Sequence, residues 1–427
     1  MNVALRPFYA AAAQLARAAA SLAPAGPSKL ARTFSARRGV RRRYAAWGAS
    51  GRDSARPLLW MHAPSVGEGL QARPVLQRMR ARHPTFQLAY TWFSPSAERF
   101  AAGLDVDFRD CLPFDTSRDA RVALDALAPQ ALVFSKLDVW PVLVREAARR
   151  GVKLGLVSAT LARDSSRARG LSAALLRDAY AHMDLVGAID QEDADRLIGL
   201  GVRPEVIQVT GDTRFDQVWE RARRADGEAQ WATSLGADRP TLVAGSTWPA
   251  DEAHLLPAFA QCHTQARTRL VIAPHEPTAP HLAPIEKWAR EQGLSLARLD
   301  APGAATADVV LVDRVGVLGD LYALADVAYV GGGFHAAGLH SVLEPAAFGA
   351  PVVFGPRHAG SRDARLLLAA GGAAGVSGTA ELVAACARWL RDPGARRTAG
   401  AAARHVIEGG LGAADRSTAL VERLFGS

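Results

Sequence analysis

Short apolar runs alternate along this chain with stretches in which apolar residues return every three or four positions, the pattern of buried strands joined through helices. In the first half, Leu58 to His62, Leu88 to Trp92, Ala131 to Ser135, Lys153 to Ser158, Leu185 to Ile189 and Val206 to Thr210 read as strands. Between them Leu70 to Arg82, Ser96 to Ala102, Val142 to Arg150, Leu171 to Ala181 and Glu192 to Leu200 read as helices. The plan restarts with strands at Thr241 to Ala244, Arg269 to Ala273, Val309 to Val312, Ala328 to Val330 and Pro351 to Phe354. Helices are expected at Ala250 to Thr264, His281 to Gln292, Leu318 to Ala325, Ser341 to Phe348, Arg362 to Ala370, Ala380 to Arg391 and from Arg397 to Phe425, with a break at Gly409-Gly410. Uninterrupted apolar strands spaced by helices imply parallel sheets covered on both faces. The expected fold class is α/β, with two doubly wound Rossmann-like domains facing a central cleft.

A chain of 427 residues exceeds one ordinary core, which agrees with two domains. Boundaries are expected at 1–52 for a basic N-terminal segment, 53–215 for the first domain, 216–239 for a charged linker and 240–427 for the second domain. Lys plus Arg number 51 against 42 Asp plus Glu, a net charge of +9, and Lys29, Arg32, Arg37, Arg38, Arg41, Arg42 and Arg43 cluster before the first strand. Such a cluster suits an anionic membrane surface or nucleic acid. Aromatic residues at 7%, not interleaved with the basic ones, argue against nucleic acid. Residues 1–23 are rich in alanine and leucine with Arg6 and Arg17 embedded, a composition for a helix lying in the membrane interface rather than crossing it. Cys111, Cys262 and Cys386 lie far apart, so neither a disulfide framework nor a zinc site is indicated, and a reducing compartment fits.

The stretch from Gly331 to Pro356, GGGFHAAGLHSVLEPAAFGAPVVFGP, organises the chemistry. A strand empties into Gly331-Gly332-Gly333, a loop whose backbone can approach an anion, and a helix follows whose free N–H groups suit a phosphate. Glu344, on that helix, is placed to accept hydrogen bonds from the vicinal hydroxyls of a ribose. In the first half, Glu68 stands at a strand-to-helix junction on the carboxyl edge of the sheet, where open α/β sheets bind ligands and where a carboxylate can act as a base. The alternative for Glu68 is a helix cap, and the alternative for the glycines is an ordinary turn. No histidines fall at metal-ligand spacing, and Ser65 lacks the flanking glycines of a nucleophile elbow.

The blocks HAPSVGEG, FSKLDVWP, VTGDTRFD, VAGSTW, APHEP, LYALADVAYVGGGF and HSVLEPAAFGAPVVFGP occur in one order across most of the chain. Together they resemble the 3-deoxy-D-manno-octulosonic acid (Kdo) transferases of lipopolysaccharide assembly. The resemblance implies a GT-B glycosyltransferase that moves Kdo from CMP-Kdo to a lipid A precursor with inversion, without cofactor or obligatory metal. It also implies work at the cytoplasmic face of the inner membrane, peripheral or anchored through the N-terminus. On the same basis Glu68 is the general base. Ser246, Thr247, His275, Gly331, Gly332, Gly333, His340, Ser341 and Glu344 face the nucleotide donor, and Lys136, Asp138 and Trp140 face the acceptor. By their charge alone, Arg37 to Arg43, with Arg163, Arg167 and Arg169, would meet lipid phosphates. Three positions depart from the family pattern: Lys136 where an acid is usual, Ala273 where an arginine is expected before His275, and Ser341 in place of an amide. They leave open a different nucleotide sugar or acceptor. A two-domain ligand binder without chemistry is the remaining alternative, and Glu68 separates the two.

Overall fold

The continuous apolar runs become the middle strands of two parallel sheets in the computed structural model, which describes residues 6–22, 26, 28–162, 165, 167, 169–228, 235 and 239–426. The first sheet comprises β1 (Leu58–His62), β2 (Gln87–Trp92), β3 (Phe108–Cys111), β4 (Ala131–Ser135), β5 (Lys153–Ala159), β6 (Leu185–Ala188) and β7 (Ile207–Val209). Its order is β3-β2-β1-β4-β5-β6-β7. The second comprises β8 (Thr241–Thr247), β9 (Arg269–Pro274), β10 (Leu296–Arg298), β11 (Val309–Leu311), β12 (Val327–Val330), β13 (Val352–Phe354) and β14 (Ala373–Gly375), in the order β10-β11-β9-β8-β12-β13-β14. Every ladder is parallel. Strands β1, β2 and β4 are buried along their whole length, including the polar His62, Gln87, Thr91 and Ser135 that stand among their apolar residues.

Three strands were not anticipated. β3 reads FRDC, β10 reads LAR and β14 reads AAG, all lacking a run of branched apolar residues, and each forms by completing a sheet beside a stronger neighbour. The helix Ser117–Leu127 was missed as well; Thr116 caps it, accepting from the Asp119 N–H at 3.2 Å.

The domain boundaries need correction at three places. Chain contacts divide the protein into one unit running to Gln217 and resuming at Gly412, and a second from Val218 to Leu411. The expected 240–427 domain therefore loses its last helix, Ala413–Glu422, to the first unit. The physical reason is a set of partners waiting there. Asp216 accepts from the N–H groups of Gly412 and Ala414, both at 2.9 Å. Gly155 on β5 and Gly187 on β6 have no side chain where Leu424 and Leu420 pack. The first part of the expected linker is a charged helix, Thr213–Glu228, as anticipated, but its residues up to Gln217 belong to the first unit and those from Val218 to the second; residues 229–234 and 236–238 lie outside the description.

The 1–52 segment is not a separate basic arm over its described part. Val40 and Tyr44 belong to the first core, and the Tyr44 hydroxyl donates to the Cys111 carbonyl at 3.2 Å. Of its arginines Arg37 is buried and Arg41 half-buried, while Arg32, Arg38, Arg42 and Arg43 stay exposed, so only part of the expected lipid-facing cluster is taken up by partners inside the unit. Arg37 is 5% exposed, donates to the carbonyls of Thr33 and Phe93 and stands 3.9 Å over the Phe93 ring. Arg41 pairs with Asp119, and Arg43 holds Asp110 through two contacts at 2.5 and 2.7 Å. Arg167 is likewise paired, and Arg163 lies outside the described residues.

Candidate active site

In each sheet the winding reverses at one place, between β1 and β4 in the first unit and between β8 and β12 in the second. Loops leaving the carboxyl ends of these strands part there, and the resulting crevice is where open α/β sheets take ligands.

At the first reversal, the chain leaves β1 through Ala63 and Pro64 and enters the helix Val66–Arg82, earlier than the expected start at Leu70, with Ser65 extended at its N-cap. Glu68 falls in the first turn, where unpaired N–H groups attract negative charge. Its Oε2 accepts the Ser65 hydroxyl, and its Oε1 lies 3.5 Å from Lys136 Nζ. The Ser135 hydroxyl donates to the Glu68 carbonyl at 2.9 Å, tying the end of β4 to this turn. Lys136 itself sits at φ +69°, a left-handed conformation unusual for a non-glycine residue and costing of order 1–3 kcal/mol. Its N–H donates to the Val157 carbonyl at 2.8 Å, which holds the strained residue in place.

Asp138 and Trp140 lie beside this pair around a wholly buried His62. Trp140 Nε1 donates to His62 Nε2 at 3.3 Å, Asp138 Oδ2 is 3.9 Å from that nitrogen, and Arg167 Nη2 is 3.0 Å from Asp138 Oδ1. Burial alone would raise the Asp138 carboxyl, but the nearby His62 ring and the hydrogen bond and charge of Arg167 outweigh it and hold the group below the ordinary range. The structure thus gathers Glu68, Lys136, Asp138 and Trp140 on one sheet edge. His62 opens the HAPSVGEG block and Arg167 stands among the arginines expected to meet lipid, but nothing in the sequence places either of them beside Asp138.

At the second reversal, Gly245-Ser246-Thr247 is not a turn but the end of β8, with a bulge that puts Ser246 at φ +54°. The Thr247 side chain is buried and donates to Glu252 Oε1 at 2.7 Å, an oxygen that also meets His281 Nε2 at 2.9 Å. Burial raises the Glu252 carboxyl, and those two contacts oppose the shift.

The triple glycine works differently from expectation. The Gly331 N–H donates to the Gly245 carbonyl at 2.9 Å, and the Gly332 N–H donates to Asp251 Oδ2 at 2.8 Å, so these two donors are spent inside the protein. What the loop needs from glycine is close approach: a Cβ on Gly331 would stand 2.2 Å from the Ser246 carbonyl oxygen and one on Gly333 2.4 Å from the Gly355 nitrogen. Gly332 adds φ +89°.

The helix expected at Ser341 to Phe348 is the five-residue Leu343–Ala347, and Ser341 is exposed ahead of it. Glu344 lies 3.8 Å from Arg221 Nη1, while Arg221 Nε holds Asp320 at 2.8 Å. Burial raises the Glu344 carboxyl; Arg221 opposes this and Asp320 adds to it. Beside these groups, Trp248 stacks against His275 and His335 and donates through Nε1 to His340 Nε2 at 3.1 Å. Trp248, His335, Asp251 and Arg221 were not among the expected site residues. The Asp251 and Arg221 roles were illegible locally, but the histidines of HAAGLH close to a glycine loop were a usable signal.

A family model described as 3-deoxy-D-manno-octulosonic-acid transferase (kdotransferase) matches residues 35–217, the part that carries Glu68 and Lys136. The 3-deoxy-D-manno-octulosonic acid transferase of Bordetella pertussis is 32% identical over 399 residues, covering 90% of this chain and 91% of the relative. This chain belongs to the Kdo transferase family. A second Kdo transferase, from Chlamydia muridarum, is 30% identical over 329 residues and covers 73% of each chain. Among solved structures, the UDP-GlcNAc 2-epimerase of Neisseria meningitidis bound to UDP-GlcNAc superposes with a TM-score of 0.64 at 13% identity, over 87% of this chain and 100% of that one. That likeness speaks for the fold, two Rossmann-like units of the GT-B type. The Kdo transferase membership makes the chain a glycosyltransferase.

Proposed function

We propose that this Kdo transferase takes Kdo from CMP-Kdo and attaches it to a lipid A precursor with inversion at the anomeric carbon. The observation that carries the reading is Glu68: a part-exposed carboxylate in the first turn of a helix, at the winding reversal of its sheet, held by Ser65 and Lys136. In the proposed step Glu68 removes the proton from an acceptor hydroxyl. The hydroxyl oxygen bonds to the anomeric carbon as the bond from that carbon to the CMP phosphate oxygen breaks, and the electron pair leaves on the phosphate. One displacement with one base gives inversion and uses no metal. The second unit is proposed to hold the nucleotide, with Ser246, His275, His340, Ser341 and Glu344 around it, and Thr247 supporting through Glu252. The experiment is CMP release from CMP-Kdo with and without a lipid A precursor, in buffer containing EDTA. Acceptor-dependent release supports the reading; its absence from a sample that still binds CMP overturns the proposed donor or acceptor.

Lys136 favours a role at the acceptor, because an ammonium 3.5 Å from the base stands where an anionic acceptor group would also be drawn. Lys136→Met is expected to lower kcat/KM about tenfold, equal to ~1.4 kcal/mol, with CMP affinity unchanged. Steady-state kinetics check it, and an unaltered kcat/KM would show the ammonium to be idle.

The enzyme is further proposed to act as a peripheral protein on the cytoplasmic face of the inner membrane. No helix among the described residues is long and apolar enough to cross a membrane. The helix Arg6–Leu22 exposes Phe8 at 74% and Leu15 at 70%, and the following helix exposes Leu30 at 63%. Apolar side chains of this kind, together with the exposed Arg32, Arg38 and Arg42, are proposed as the contact. Replacing Phe8 and Leu15 with serine should reduce co-flotation with phosphatidylglycerol vesicles several-fold, about 1–2 kcal/mol of lost burial; undiminished flotation would refute the assignment.

A further inference from the structure

Trp248 and three imidazoles form one stacked group at the end of β8. Trp248 and His335 lie face to face, ring centres 4.1 Å apart and planes within 9°; His275 stacks on Trp248 at 4.5 Å and on His340 at 4.6 Å. The decisive contact is the indole N–H, which donates to His340 Nε2 at 3.1 Å. An indole nitrogen can only donate, so the imidazole nitrogen that faces it must offer its lone pair. The proton of a neutral His340 then stands on Nδ1, and no protein group among the described residues pairs with that atom. His335 is fixed by the same logic: its Nδ1 accepts the Ala337 N–H at 3.2 Å, which leaves the proton on Nε2.

We propose that Trp248 is a positioning residue that locks His340 in the tautomer presenting Nδ1–H, and that this neutral donor binds a phosphate oxygen of the nucleotide. The inference rests on the reading that the second unit holds the donor nucleotide. The groups facing His340 are Trp248, His275, His335 and the buried carboxylate of Asp251. Burial lowers the His340 pKa, proximity to His275 and His335 lowers it further, and Asp251 opposes them. A stack of imidazoles cannot carry several charges cheaply, and donors fixed before the substrate arrives lose no energy in reorganising as charge builds on the leaving phosphate. Protonating His340 at Nε2 would also turn its bond from Trp248 into a donor-donor clash.

The test is ¹⁵N NMR of the imidazoles in the full chain, together with calorimetric binding of CMP, for the wild type, Trp248→Phe, His340→Asn and His340→Gln. The wild type should show His340 as the neutral Nδ1–H tautomer near pH 7. In Trp248→Phe the Nε2–H tautomer should appear and CMP should bind about tenfold more weakly. Asparagine places its amide nitrogen near the Nδ1 position and should keep CMP affinity within about threefold; glutamine reaches toward the Nε2 position and should lose about tenfold. If Trp248→Phe does not fold, the asparagine and glutamine pair decides alone. CMP bound equally well by His340→Gln and the wild type, or an Nε2–H tautomer in the wild type, overturns the proposal and leaves the nucleotide reading standing. A wild type that does not bind CMP overturns both.

Discussion

Glu68→Gln should lower acceptor-dependent CMP release by about three orders of magnitude while CMP affinity stays within about twofold of the wild type. The amide has the shape of the carboxylate and can still accept the Ser65 hydroxyl, so the turn that enters the helix Val66–Arg82 keeps its geometry. What it cannot do is take a proton. General base catalysis typically contributes 10²–10⁴-fold, which sets the expected size of the loss. Stability should hardly change, since the ion pair given up, Glu68 with a Lys136 side chain 42% exposed, is of a kind worth little. That combination is what separates a lost base from a damaged fold. Single-turnover CMP release, isothermal titration with CMP and a thermal melt measured on one preparation check all three parts. A variant that turns over at a tenth of the wild-type rate or better would remove Glu68 from the role of base. A wild type that binds CMP and never releases it from CMP-Kdo would support the two-domain binder instead.

The order of strands and helices was legible because a doubly wound sheet writes itself as unbroken apolar runs, and β1, β4 and β12 fall where those runs lie. The edge strand β3 and the strands β10 and β14 were not, because sheet-end strands take their stability from a neighbour rather than from their own residues. The place of Glu68 was legible because it follows a strand and opens a helix, a purely local pattern. The partners that define its surroundings are distant: Lys136 reaches it from 68 positions away, and His62 meets Trp140 across 78. No periodicity reports such a meeting. The arginines before β1 were legible in part. A run of like charges reads as a solvated surface, and Arg32, Arg38 and Arg42 are exposed, but Asp119 and Asp110, each far along the chain, pair with Arg41 and with an Arg43 that is itself 42% exposed. In the glycine loop the residue type was read correctly and the reason was not, because the carboxylate that takes the Gly332 N–H belongs to a helix some 80 positions earlier.

That carboxylate carries the second large effect. Asp251 has no exposed surface and accepts four hydrogen bonds: from the N–H groups of Trp248 at 3.0 Å, Gly332 at 2.8 Å and Phe334 at 3.1 Å, and from the Tyr329 hydroxyl at 3.1 Å. Burial and then the Asp251 charge push Tyr329 far above its ordinary pKa, so its hydroxyl remains a donor at any working pH. Asp251→Ala leaves three N–H groups and a hydroxyl without their acceptor, the Gly332 N–H and the Tyr329 hydroxyl in a buried setting and the Trp248 and Phe334 N–H groups in a half-buried one. Each unpaired group costs ~1–3 kcal/mol, and relief from burying a charge returns part of the sum, leaving an expected loss of ~3–5 kcal/mol. The damage should be local, because those donors sit at the ends of β8 and β12 and on the loop that carries His335. Hydrogen exchange should show protection lost at the Gly332 and Phe334 amides and kept along β1 and β4, and CMP binding should fall below detection. Asp251→Asn should rescue only in part: its oxygen can serve the Trp248 and Gly332 N–H groups and the Tyr329 hydroxyl can rotate to accept from the NH₂, which leaves the Phe334 N–H facing a donor. A melting curve and exchange pattern like those of the wild type would mean that water or a shifted backbone can replace the carboxylate. In that case the glycines, and not Asp251, would be what shapes the carboxyl end of β12.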